Sequence, residues 1–114
     1  MLSALRSAGH SLTLDWTSLP HIRPYSTNFD EARRIAELEA TAVTEADALI
    51  LLADERGVGL FVELGIAIGQ GKRVYVLTSS AEQTIFYYHP KVKVFSSREE
   101  LFAQLATDHS DDKE

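Results

Sequence analysis

The stretch Ala48-Leu49-Ile50-Leu51-Leu52-Ala53-Asp54-Glu55-Arg56-Gly57-Val58-Gly59-Leu60-Phe61-Val62-Glu63-Leu64-Gly65-Ile66-Ala67-Ile68-Gly69-Gln70-Gly71-Lys72-Arg73-Val74-Tyr75-Val76-Leu77 decides the fold. Ala48 to Ala53 is a continuous apolar run of strand length, the pattern of a strand buried on both faces. Asp54-Glu55-Arg56-Gly57 reads as a tight turn. Val58 to about Gln70 reads as an apolar helix, with Gly71 as its stop. Arg73 to Leu77 is a second strand. Two such strands joined by a helix form a parallel pair with a crossover, so the two segments should lie side by side in one sheet.

Within the helical part Glu63 is the only charged residue between Val58 and Gly69. Placed in the first turn, its carboxylate would face the unpaired N–H groups and the positive end of the helix, which favour the ionised form. It would also lie outside the carboxyl end of a parallel strand, where open α/β sheets bind their ligands. Two readings stand for it: a capping acid without chemistry, or a group that works on a ligand.

Outward from this core the elements alternate. Met1 to Ala8 reads as the end of a helix closed by Gly9, and Ser11 to Trp16 as a strand. Thr17 to Phe29, with Pro20 and Pro24, reads as a loop. Asp30 to Ala46 forms a helix capped by Asn28 or Asp30. Thr78 to Pro90 is irregular or a short helix, and Lys91 to Phe95 a short strand. Ser97 to Leu105 is a helix opened by the capping box Ser97-x-x-Glu100. The acidic run Asp108 to Glu114 reads as a flexible tail behind a single domain spanning residues 1–107. The β-α-β-α-β-α order predicts an α/β fold: a flavodoxin-like, mostly parallel sheet flanked by helices. Because the chain opens inside a helix, the expected sheet lacks the N-terminal strand that would precede it.

A second carboxylate emerges when Asp30 to Ala46 is laid out at helical periodicity. Ala32, Ile35, Ala42, Val43 and Ala46 share one face with Glu39 at its centre, while Arg33, Glu37, Thr41 and Thr44 form the solvated side. An acid at the centre of an apolar stripe needs compensation for its desolvation. Either Glu39 pairs with an arginine or caps backbone groups, or it points into a polar cleft together with Glu63. Two acids in one cleft can hold different protonation states, which suits chemistry at a glycosidic carbon.

Composition limits the partners. A 114-residue chain with 45% hydrophobic and 25% charged residues is an ordinary globular domain. Its formal charge of −6 argues against a nucleic-acid backbone or an anionic membrane as the main partner. With no cysteine, disulfides and thiolate metal sites are excluded, and the four histidines have no metal-ligand spacing. No run reaches membrane-spanning length and none reads as a signal peptide, so the cytoplasm is the expected compartment. The helix Val58 to Gly69 is apolar on all sides, which predicts a homodimer or larger assembly.

Glu39-x7-Asp47-Ala48-Leu49-Ile50-Leu51-Leu52, followed by Gly57-x-Gly59-x3-Glu63-Leu64-Gly65-x-Ala67 and Gly71-Lys72-x-Val74, resembles the nucleoside 2-deoxyribosyltransferase superfamily, which includes the 2′-deoxynucleoside 5′-phosphate N-hydrolases. Glu39 and Asp47 precede Glu63 by 24 and 16 positions, spacings like those of the hydrolase branch. Leu14-Asp15-Trp16-Thr17 and Phe86-Tyr87-Tyr88-His89-Pro90 resemble a bacterial subgroup. The resemblance implies that Glu63 is a nucleophile attacking C1′ of a nucleoside or nucleotide, and that Glu39 assists proton transfer to the departing base. It implies a substrate site formed by the backbone of Gly57, Val58 and Gly59, with Asp15 and Trp16 at a strand end. The family often carries Ser or Asp at the position of Gly57. Neither a metal nor an organic cofactor is implied. The rival reading is a non-catalytic nucleotide-binding or regulatory domain of the same fold. A receiver-type signalling domain is disfavoured, because the Ala48 to Ala53 strand ends in Ala53 rather than an aspartate.

Overall fold

A computed structural model describes residues 23–55 and 58–112. The expected strand Ser11 to Trp16, with Asp15 and Trp16, lies outside the described residues, as do Arg56 and Gly57. The chain divides into two compact units, Met1–Ala46 and Asp47–Glu114.

In the first unit a 3₁₀ turn at Tyr25–Thr27 leads into helix α1, Phe29–Glu45. Asn28 stands at the N-cap position, as expected, but does not cap with its side chain. Its amide donates instead to the Pro24 carbonyl at 3.0 Å, closing the preceding turn. The amphipathic reading of α1 holds residue by residue. Ile35 and Val43 are buried, and Ala32, Glu39, Ala42 and Ala46 are half-buried. Arg33, Glu37, Thr41 and Thr44 are exposed.

The second unit is an open sheet of three parallel strands: β1 (Ala48–Leu52), β2 (Arg73–Leu77) and β3 (Val92–Phe95), in that order. Helix α2 (Gly59–Gly69) connects β1 to β2, and helix α3 (Arg98–Asp112) follows β3. This is the expected flavodoxin-like α/β arrangement. Ala48 to Leu52 pair in parallel register with Arg73 to Leu77. Val74 and Val76 are fully buried and Tyr75 nearly so, as a central strand requires. Leu51, Leu64, Ala67 and Leu101 complete the core.

Gly71 stops α2 as expected, and the geometry gives the reason. It adopts φ +72°, its N–H donates to the Ile68 carbonyl at 3.0 Å, and the Lys72 N–H reaches back to Ala67 at 2.9 Å. These two bonds are a Schellman closure, in which a left-handed residue satisfies the last carbonyls of the helix.

Two expectations change. The last helix continues past Leu105 through Asp112, so the start of the acidic run belongs to the fold. Asp108 is buried, and accepts from the Tyr75 hydroxyl at 2.5 Å, Gln104 Nε2 at 2.9 Å and Lys93 Nζ at 3.3 Å. Burial pushes this carboxyl upward, but the three donors and the Lys93 charge outweigh it and hold the group below its ordinary value. Glu63, in turn, is the fifth residue of α2 and lies beyond its first turn. α2 starts at Gly59, one residue after the expected Val58, and counted from either start Glu63 falls in the second turn.

Candidate functional site

A parallel sheet gathers the exits of its strands at one edge, and the exits of β1 and β2 are joined there by hydrogen bonds. Asp54 follows β1. Its carboxylate accepts from the Ser79 N–H at 3.2 and 3.0 Å and from the Thr78 hydroxyl at 3.2 Å. Thr78 is buried directly after β2, and its Oγ1 accepts from the Ser80 N–H at 3.1 Å. Gln83 Oε1 lies 3.2 Å from the same hydroxyl and accepts from Tyr87 at 2.9 Å. Burial, and after it the Asp54 carboxylate, raise the Tyr87 phenol above its ordinary pKa. The carboxyl edge is therefore a braced polar shelf rather than a loose pair of loops.

Helix α2 starts at this edge and carries Glu63 about 6 Å along its axis from Gly59, at 1.5 Å per residue. Leu60, Glu63, Leu64 and Ala67 form its buried stripe, and Glu63 is only 7% exposed. An acid in such a stripe requires partners, and no buried side-chain nitrogen or oxygen among the described residues lacks one. Glu63 lies beyond the reach of the positive helix end, whose effect fades within one turn.

The remaining expected site residues fall as follows. Val58 is exposed and precedes α2, and Gly59 is its first residue. A Cβ at Gly59 would meet no atom within 4 Å, so packing within the chain does not demand glycine there. Glu39 is half-buried in the first unit, whereas Glu63, Val58 and Gly59 belong to the second.

Asp54, Thr78, Ser79, Gln83 and Tyr87 escaped the sequence reading as a group. Asp54 reads locally as part of a solvated charge cluster, and Tyr87 as aromatic packing. The available signal was the polar run Thr78-Ser79-Ser80 immediately after Val74-Tyr75-Val76-Leu77. Tyr87 is buried, whereas its neighbours Ile85, Phe86 and Tyr88 are exposed. Among the described residues, no group of three or more His, Asp or Glu side chains is placed to hold a metal ion. No described helix is long and apolar enough to cross a membrane. The site is thus that of an open parallel α/β domain with a buried glutamate behind its first strand. No protein-family model, curated protein or solved structure matches the chain.

Proposed function

We propose that this protein is a cytoplasmic N-glycosidic hydrolase or deoxyribosyltransferase that acts on nucleosides or nucleoside 5′-monophosphates, with Glu63 as nucleophile. The observation that carries the reading is a lone carboxylate on the buried stripe of the helix that follows β1, within residues resembling the nucleoside 2-deoxyribosyltransferase signature.

In this reading a Glu63 carboxylate oxygen bonds to C1′ as the C1′–N bond breaks, and the bonding pair leaves with the base. The departing base takes up a proton from an acid, the role that the family resemblance gives to Glu39. Water, or the N–H of a second base, then attacks C1′ and breaks the glycosyl ester, returning its proton to the acid that protonated the first base and regenerating the Glu63 carboxylate. Val58 and Gly59 would border the substrate. The absence of any packing reason for glycine at position 59 fits close approach by a ligand. No cofactor enters this chemistry.

One observation favours the rival reading of a nucleotide-binding module. The braced shelf of Asp54, Thr78 and Ser79 is able to hold a polar ligand without any contribution from Glu63. Incubation with deoxynucleosides and with their 5′-monophosphates, with and without an acceptor base, separates the two. Release or exchange of free base supports the enzyme; binding without release supports the module.

A homo-oligomer accompanies the proposal. Val58, Phe61 and Val62 are exposed on one apolar side of α2, where Gly65 and Gly69 also face open space. Glycine inside a helix costs about 0.5–1 kcal/mol relative to alanine, and a second copy approaching closely would account for it.

A further inference from the structure

At the carboxyl edge of the sheet, one proton is shared among too many oxygens. Thr78 is 4% exposed, and its Oγ1 lies within hydrogen-bond distance of three acceptors: Asp54 Oδ1 at 3.2 Å, the Ser80 carbonyl at 3.3 Å and Gln83 Oε1 at 3.2 Å. A threonine hydroxyl has a single proton to give, and the charged acceptor draws it most strongly. The proton therefore goes to Asp54. The Ser80 N–H, at 3.1 Å, occupies a lone pair of the same Oγ1 and gives nothing to the other two oxygens.

Turning the Gln83 amide over does not remove the excess. Tyr87 is 2% exposed, and among the described residues its hydroxyl bonds to Gln83 alone, at 2.9 Å. Burial, and after it the Asp54 carboxylate, keep the proton on this phenol. The phenol must donate that proton, so Gln83 must present Oε1 to it. That oxygen is the one beside Thr78. A carboxylate, a hydroxyl, a backbone carbonyl and an amide carbonyl thus stand together, with no proton between Thr78 and two of them. Asp54 and Gln83 are exposed and open the cluster to solvent, while buried Thr78 and Tyr87 fix it in place.

We propose that this cluster binds a hard metal cation, such as calcium, potassium or sodium. Calcium takes carboxylates, backbone carbonyls and amide carbonyls, and completes its shell with water. Backbone carbonyls replace the hydration shell of potassium in the same way. Histidine and thiolate, which suit transition metals, are missing from the cluster. With a single carboxylate in the set the site should be weak, with a Kd for calcium of about 10⁻⁴ to 10⁻³ M, because ligand charge tunes affinity. This site does not depend on Glu63 chemistry.

The test is an amide NMR titration of the full chain with calcium, potassium and sodium chloride, each against tetramethylammonium chloride at equal ionic strength. Saturable shifts at Ser79, Ser80 and the Gln83 side-chain amide are expected with at least one metal, and the metal that saturates lowest identifies the cation. Gln83→Glu keeps an acceptor for Tyr87 and adds a second charge beside Asp54, so it should tighten binding about tenfold or more. Asp54→Asn keeps an acceptor for the Ser79 N–H and should weaken binding by a similar factor. Shifts that match those with tetramethylammonium, or an affinity that does not rise in Gln83→Glu, would overturn the proposal. So would saturable shifts confined to the acidic end of α3. The crowded oxygens would then serve only to brace the exits of β1 and β2.

Discussion

Replacing Asp108 with alanine should destabilise the protein strongly, although the residue lies in what reads locally as an acidic tail. The substitution strands the Tyr75 hydroxyl in the core, since Tyr75 is 2% exposed and donates to Asp108 at 2.5 Å. Leaving such a group unpaired costs about 1–3 kcal/mol. The Gln104 bond adds on the order of 1 kcal/mol, while the Lys93 pair adds little because that ammonium is half-exposed. The expected loss is about 2–4 kcal/mol, enough to lower Tm by roughly 10 °C or more in a domain of this size. Asp108→Asn keeps an acceptor for the tyrosine and should lose only about 1 kcal/mol. In Tyr75→Phe/Asp108→Ala the unpaired hydroxyl is gone, so the double variant should lose less than the sum of the singles. Urea unfolding at neutral pH measures all five proteins: native, Asp108→Ala, Asp108→Asn, Tyr75→Phe and the double variant. A loss below about 0.5 kcal/mol for Asp108→Ala, or strict additivity in the cycle, would refute the argument that this bond anchors α3.

Acid should act through the same group. Its folded-state pKa is held below the unfolded value of about 3.9, so its stabilisation is present above that pH and lost as pH falls through the lower, folded value. The stability gap between the native protein and Asp108→Asn, followed by urea unfolding from pH 7 to 3, should therefore shrink below about pH 4. Gly71→Ala should cost about 1 kcal/mol by the same assay, because φ +72° strains any residue with a Cβ even though the space there is open. Analytical ultracentrifugation at micromolar concentration should show a dimer or larger species, and Val62→Glu should shift it toward monomer. A well-behaved native monomer would remove the oligomer from the account.

Local pattern was sufficient for the β1–α2–β2 unit because each signal there is short-range. Apolar strands, a helix free of charge except at Glu63, and a left-handed glycine stop all lie within 30 consecutive residues. The face of α1 was legible for the same reason. Ile35 and Val43 lie about two turns apart on one side, while Arg33 and Glu37, two residues to either side of Ile35, fall about half a turn away. What local pattern missed depends on partners distant in sequence. Asp108 is drawn into the fold by a hydroxyl 33 residues away on a central strand, and Asp54 by a backbone N–H 25 residues away. Nothing adjacent to either aspartate signals such a donor. The start of α2 was legible to within one residue, Val58 expected against Gly59 found, and counted from either residue Glu63 falls beyond the first turn.

Glu63 is proposed to be a nucleophile at C1′. The most direct test of that role compares the native protein, Glu63→Gln and Glu63→Ala, all verified as folded, for free-base release from deoxynucleosides and deoxynucleoside 5′-monophosphates by liquid chromatography. The account predicts release by the native protein, loss of release in both variants, and retained substrate binding in Glu63→Gln, whose amide keeps the shape but is a poor nucleophile. Release that continues unchanged in Glu63→Gln, or a native protein that binds these compounds and frees no base from any of them, would contradict it.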